Sequence, residues 1–327
     1  MQHVALILPA FNEELTISET MEDFHRALPE ASIWVVNNRS TDATYEIAVA
    51  TLKKLACRGG VLDEMRKGKG NAIRCAFTQV EADIYVMVDA DLTYSAADVT
   101  KLLVPVLSGE ADMVVGDRHA QGHYAVENKR AFHGFGNRLM RDLVNRLFRA
   151  QLSDILSGYR VFSRRFVKTY PILVEGFEIE TDITLHALDK RFSIQEIPVG
   201  YRDRPQGSIS KLNTLSDGVR VLKTLMNIFR YYRPLAFFGS LAFAFLLLGL
   251  VLGFPVLKEW ALTRYISHIP MAILASGVEI IAMVLASIGL ILDSIQYQNK
   301  LIFERELLSY GAFRYESNSQ ESKGRVH

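Results

Sequence analysis

DIYVMVDADL, residues 83–92, decides the architecture. Its apolar centre, IYVMV, is a short continuous run of the kind that forms a strand covered on both faces of a sheet, and it ends abruptly in Asp89, Ala90 and Asp91. In open α/β sheets, ligands gather beyond the carboxyl ends of the strands. A strand closing on two carboxylates therefore directs the search for chemistry to that end. Three further runs have the same character: VALILP at 4–9, SIWVVN at 32–37 and DMVVGDR at 112–118. Segments of helical period at 13–28 and 41–55 separate them, with Ser40, Thr41 and Asp42 placed as helix-start residues. The alternation predicts a soluble α/β domain over residues 1–212 with a mostly parallel, Rossmann-like sheet.

The rest of the chain has a different solvent. Residues 235–254, LAFFGSLAFAFLLLGLVLGF, carry no charge and as a helix span roughly 30 Å, the hydrocarbon thickness of a bilayer. A second stretch, 271–292, matches it but contains Glu279. The two read as a transmembrane hairpin within 234–295, joined by a loop from Pro255 to Pro270, with a cytoplasmic tail at 296–327. Ahead of the hairpin, 213–233 place Leu215, Val219, Leu222, Met226 and Phe229 on one helical face, the pattern of an amphipathic juxtamembrane helix lying among membrane lipids. An ordinary core-packed helix has the same pattern. Lys223, Arg230 and Arg233 before the first span, and Lys300, Arg305 and Arg314 after the second, outnumber the basic residues of the intervening loop. Both termini and the α/β domain are therefore expected on the cytoplasmic side, of the inner or plasma membrane in a bacterium. The run at 4–8 is too short for a signal peptide.

Across 327 residues, 37 Lys and Arg balance 36 Asp and Glu, which excludes a nucleic-acid partner bound through a large basic excess. Cys57 and Cys75 lack the spacing of a zinc site or disulfide framework. Asp89 and Asp91 are suited to a hard divalent ion, Mg²⁺ or Mn²⁺, bridging carboxylate and diphosphate. An acidic pair at a strand end also serves as turn or cap residues, so the wider pattern has to choose.

That pattern is a series of motifs in fixed order: LPAFNEE (8–14), VVNNRSTDAT (35–44), RKGKGNA (66–72), VDADLTY (88–94), GDR (116–118), DILSGYRVFSRR (154–165), GFEIETDITLHAL (176–188) and YRDRPQGSISKLNT (201–214). Together they resemble the family 2 glycosyltransferases of the GT-A fold. Within these they resemble the polyprenyl-phosphate branch, which includes dolichyl-phosphate mannose and glucose synthases and bacterial undecaprenyl-phosphate enzymes. The resemblance implies inverting transfer of a sugar from a UDP- or GDP-sugar to the phosphate of a membrane polyprenyl phosphate. By similarity, Pro9, Phe11 and Glu13 border the nucleotide, Asn37, Asn38 and Asp42 lie near base and ribose, and Lys69 and Ala90 complete the donor site. The family usually has an acid where Asn37 or Asn38 stands. Asp89 and Asp91 would take the metal, with Thr93 where some relatives have a further ligand.

For the acceptor phosphate the resemblance points to Arg118 and Arg130, with Asp154, Ser157 and Arg160 nearby and Arg202, Arg204, Ser208 and Lys211 in a loop near the membrane. Arginine suits this role because its planar fork grips two phosphate oxygens. Lys69 and Arg130 also read as solvated charges, and Asp154 as a turn residue. Glu279 suggests helix packing beside Gly249 and Gly253, or a lipid contact. Two rival readings are a processive polysaccharide synthase, whose QxxRW-type motif is missing at Trp34 and Trp260, and a non-catalytic nucleotide-sugar-binding scaffold. Assembly as a homo-oligomer, as in some relatives, stays open.

Overall fold

The computed structural model describes residues 2–119, 131–176, 178–202 and 226–324. The chain divides into two compact units, 1–215 and 216–327. In the first, seven strands form one sheet: β1 Val4–Ala10, β2 Ser32–Asn37, β3 Gly59–Asp63, β4 Ile84–Met87, β5 Met113–Asp117, β6 Arg160–Ser163 and β7 Ile194–Pro198. Their order is β3-β2-β1-β4-β6-β5-β7, parallel except that β6 runs antiparallel to both β4 and β5. The helices are α1 Ile17–Ala27, α2 Thr44–Leu55, α3 Lys69–Gln79, α4 Val99–Leu107, α5 Ala131–Phe148, α6 Arg164–Thr169 and α7 Ile179–Asp189.

The central strands β1, β2, β4 and β5 are mostly apolar because both faces of the sheet are covered there. Leu6, Leu8, Ile33, Val35, Val86 and Val114 form one core with Ile17, Met21 and Phe24 of α1 and Leu102 of α4. Ile7, Tyr85, Met87 and Phe162 are buried as well. Phe77 of α3 sets its ring edgewise against Tyr85 and Phe162, at 5.9 and 5.6 Å between centroids.

Three strands lack the apolar signature. β3 starts at Gly59, where φ is 131° and a Cβ would stand 1.8 Å from the Ile33 carbonyl oxygen, so only glycine allows this entry into the sheet. β6 begins on an arginine, and β7, IQEIP, is only half-buried. The first two helices also begin later than their periodicity suggests, because the residues ahead of them are laced together as turns. Thr41 N–H donates to Asn12 Oδ1 (2.8 Å), Ala43 N–H to Glu14 Oε2 (3.0 Å) and Glu13 N–H to Thr44 Oγ1 (2.8 Å).

The second unit holds two long helices, α8 Pro234–Thr263 and α9 Ile269–Gly324. Both contain stretches long and apolar enough to cross a membrane. Their large apolar side chains face outward, Val251 at 69% and Ile273 at 67% exposure, a surface that suits lipid and not water. The expected loop from Pro255 to Pro270 is corrected: α8 continues through Pro255 to Thr263, and Pro270 sits in the first turn of α9, where no backbone donor is needed. Arg264, at φ 55°, ends α8, its N–H donating to Trp260 O (2.8 Å). The tail expected from 296 is a continuation of α9. Residues 226–232 are helical, whereas the rest of the expected juxtamembrane helix before them, 213–225, lies outside the described residues.

Glu279 packs on Gly249: a Cβ there would lie 2.4 Å from Glu279 Oε1. Of the two readings open for this carboxyl, helix packing is the one seen, and the small residue opposite is what makes room for it.

Candidate active site

The chain leaves β4 and turns sharply, with Leu92 held at φ 61°, a left-handed conformation that is costly for a leucine and that redirects the DAD segment out of the sheet. Asp91 is 3% exposed, and its Oδ1 accepts from the Thr93 N–H (3.2 Å) and hydroxyl (2.6 Å). Thr93 thus orients Asp91. Asp89 leans over Gly158, where a Cβ would come 2.4 Å from its Oδ2. The Asp89 Oδ1 accepts from the Lys69 ammonium, which also donates to Glu180 Oε1. Burial pulls the Lys69 pKa down, but Asp89 and Glu180 outweigh it and hold the amine above its ordinary value, fully protonated.

Among the described residues no three His, Cys, Asp or Glu side chains form a ready-made cage. Two carboxylates at a strand end nevertheless fit Mg²⁺ or Mn²⁺, which take one or two protein carboxylates and complete their shell with phosphate oxygens and water. An ammonium already standing on Asp89 shows that this oxygen is placed to meet a cation.

Of the residues expected at the nucleotide, Pro9 pairs with Val36 in the sheet, and Phe11 lies just past β1 with the Lys67 ammonium 5.1 Å above its ring. Glu13 and Ala90 meet at Thr16, whose hydroxyl reaches Glu13 Oε2 (3.2 Å) and the Ala90 carbonyl (2.7 Å). Asn37 donates to Asp63 Oδ1 (2.8 Å) and accepts from Ser40 N–H (3.2 Å). Asp63 therefore places a carboxylate beside the position where the sequence has an amide. It escaped sequence reasoning because only the β2–β3 register brings the two together. Asn38 works on the loop: its amide donates to Arg66 O (2.7 Å) and its oxygen accepts from Gly68 N–H (2.7 Å). Asp42 accepts from Glu14 N–H (3.2 Å) and Thr44 N–H (3.1 Å).

The glycines flanking Lys69 are required by the packing of the chain itself. A Cβ at Gly68 would lie 2.0 Å from Glu175 O and one at Gly70 2.2 Å from Val174 O. They let two backbones cross, and this crossing positions Lys69.

Of the residues expected at the acceptor phosphate, Arg118 follows β5 and forms a two-point ion pair with Asp154, Nε to Oδ2 at 2.7 Å and Nη2 to Oδ1 at 2.8 Å. The Asp154 side chain is 1% exposed; burial raises its pKa, but Arg118 outweighs this and holds the carboxyl below the usual range. Arg118 also lies over the Tyr201 ring at 5.5 Å. Tyr201 pairs with Tyr94, and the Arg202 N–H donates to Thr93 O (2.9 Å), so the start of the basic loop is pinned to the DAD turn. Ser157 has no exposed surface, and its hydroxyl accepts from Tyr159 N–H (3.3 Å). Arg160, also fully buried, clips the same loop through the Ser157 and Ile155 carbonyls, both at 2.8 Å. Arg130, Arg204, Ser208 and Lys211 lie outside the described residues.

The model of glycosyl transferase family 2 matches residues 5–170, more than half of the chain. The chain belongs to glycosyl transferase family 2. This family 2 enzyme is 31% identical over 293 residues to glycosyltransferase AglJ of Haloferax volcanii, an alignment covering 89% of this chain and 93% of that protein. It is 26% identical over 223 residues to the polyprenol monophosphomannose synthase of Mycolicibacterium smegmatis, covering 65% and 82% of the two chains. Among solved structures it resembles glucosyl-3-phosphoglycerate synthase of Mycobacterium tuberculosis, in complex with Mn²⁺, UDP-glucose and phosphoglyceric acid, at a TM-score of 0.53, 23% identity and coverage of 69% and 79%. That likeness establishes the GT-A-like fold of this glycosyltransferase, whose relatives include polyprenyl-phosphate sugar transferases.

Proposed function

We propose that the enzyme moves a sugar from a nucleotide-sugar donor, UDP- or GDP-linked, to the phosphate of a membrane polyprenyl phosphate such as undecaprenyl or dolichyl phosphate. The observation that carries this reading is the joining of the DAD turn to Arg118 through Tyr201 and Arg202, which sets carboxylates for the donor and a guanidinium for the acceptor at one end of the sheet. The names of the relatives support the acceptor class.

The reaction is a single displacement. An acceptor phosphate oxygen attacks the anomeric carbon, the bond from that carbon to the diphosphate oxygen breaks, and the nucleoside diphosphate leaves with the electron pair, inverting the centre. The acceptor is already anionic and needs no base, so catalysis reduces to positioning and charge stabilisation. Asp89 and Asp91 would hold the divalent ion, which when bound supplies charge neutralisation to the departing diphosphate. Thr93 fixes the Asp91 carboxylate and Asp154 fixes the Arg118 fork beside the acceptor phosphate. Phe11, Asn37 and Asp63 border the donor base. The two apolar helices anchor the enzyme where its lipid acceptor lies, with the catalytic unit and both termini in the cytoplasm and the product serving glycan assembly.

The test compares acceptors that differ only in charge. With Mn²⁺ or Mg²⁺ present, polyprenyl phosphate is glycosylated and the uncharged polyprenol is not, and EDTA stops the reaction until metal is restored. Equal use of the two lipids would overturn the phosphate-acceptor reading.

A further inference from the structure

The ion pairs around Lys69 have a consequence for the order in which metal and donor load. Lys69 is the first residue of α3, where a positive charge opposes the helix dipole and has no local reason to be. It is held there by two carboxylates from distant parts of the chain, Asp89 after β4 and Glu180 in the first turn of α7. The side chains of Lys69 and Glu180 are 10% and 7% exposed and that of Asp89 28%, so water does little to screen the three charges. The backbone crossing at Gly68 and Gly70 fixes the root of the lysine.

Building on the proposed donor site, we propose that Glu180 is a positioning residue: it holds Lys69 as an internal counter-ion over Asp89, which keeps that ligand closed to a divalent cation until a diphosphate arrives. A dication cannot take the Asp89 oxygen while an ammonium occupies it, since two like charges at contact distance in a poorly screened site repel strongly. An incoming diphosphate removes the conflict. It gives the ammonium a new anion while Glu180 keeps its other contact, so Asp89 becomes available to the ion that the same diphosphate helps to hold. Metal and nucleotide therefore bind with positive coupling, part of which resides in the lysine.

The experiment is Mn²⁺ binding to the purified full-length protein in detergent, by calorimetry, with and without UDP or GDP. The Lys69→Met/Glu180→Gln double variant removes one positive and one negative charge with side chains of similar shape, so that the net charge of the cluster is unchanged and only Asp89, the most exposed of the three, loses its counter-ion. It is expected to bind Mn²⁺ without nucleotide at least about ten-fold more tightly than wild type, and its gain in Mn²⁺ affinity on adding nucleotide shrinks by a similar factor. A simple structural role for the pair would leave the nucleotide-free affinity unmoved, and wild-type affinity in the double variant overturns the proposal. The first arm uses no nucleotide. It decides the counter-ion role even if neither UDP nor GDP binds wild type, a result that would instead count against the donor-site reading.

Discussion

Asp91→Ala abolishes transfer to lipid, lowering kcat/KM by about 10³-fold or more, while the protein still inserts and folds. The size follows from the chemistry, since loss of one preorganised group that stabilises developing charge costs about 10²–10³-fold, and removal of a metal ligand also withdraws the ion itself. Asp91 is 3% exposed and receives two hydrogen bonds from Thr93, so the alanine variant also leaves polar partners without their acceptor. Asp91→Asn separates the two effects. It keeps an oxygen for Thr93 and loses only the charge, and it is expected to fold as wild type and remain at least about 10²-fold impaired. Steady-state kinetics with saturating Mn²⁺, alongside a thermal melt in detergent, check this. Wild-type metal-dependent turnover in either variant would remove Asp91 from the mechanism.

The second large effect lies in Asp154→Ala. Its carboxylate is 1% exposed and its partner, the Arg118 side chain, 11% exposed; cutting one member from such a pair costs about 3–5 kcal/mol, because the remaining charge stays buried without its counter-ion. The expected result is a clear drop in melting temperature together with a loss of activity of about 10²-fold or more, since Arg118 no longer presents a fixed fork to the acceptor. The pH dependence gives an independent check. The folded-state pKa of Asp154 is depressed below its ordinary 3.8, so the stability it contributes is complete above that value and is lost as the pH falls through the lower folded value. Glu196, which accepts from the Ser153 and Asp154 N–H groups, is pushed the opposite way by burial, and its share of stability runs with the opposite sign. Melts of wild type and Asp154→Asn across this acid range isolate the Asp154 share: wild type loses stability on acidification and the asparagine variant loses less. Identical acid profiles would show that the ion pair does not stabilise the fold.

What was legible in the chain depended on how local the signal was. The strand ending in DAD and the two apolar spans announce themselves because each carries its information in consecutive residues. The Arg118 and Asp154 motifs were visible too, and an arginine is among the groups an aspartate at 154 can orient, but that the arginine is Arg118 was not legible, since 36 residues separate them. Glu180 sits inside GFEIETDITLHAL with nothing local to give it a role. Its meaning comes from Lys69, 111 positions away, and no periodicity encodes that meeting. Gly158 and Gly68 likewise look like ordinary turn glycines until the Asp89 carboxylate and the Glu175 backbone are seen to fill the space a side chain would need. The continuation of α8 through Pro255 went against the usual helix-ending sense of proline, because the apolar segment on either side keeps its helical path.

The most direct measurement is transfer of radiolabel to the lipid fraction: full-length protein in detergent, Mn²⁺ or Mg²⁺, undecaprenyl phosphate, and a panel of UDP- and GDP-linked sugars. Metal-dependent label in the lipid from one donor is the expected result, and it identifies both the reaction and the sugar. Tight nucleotide binding with no label in lipid from any donor would contradict transferase activity on this acceptor and favour a membrane-anchored binding scaffold.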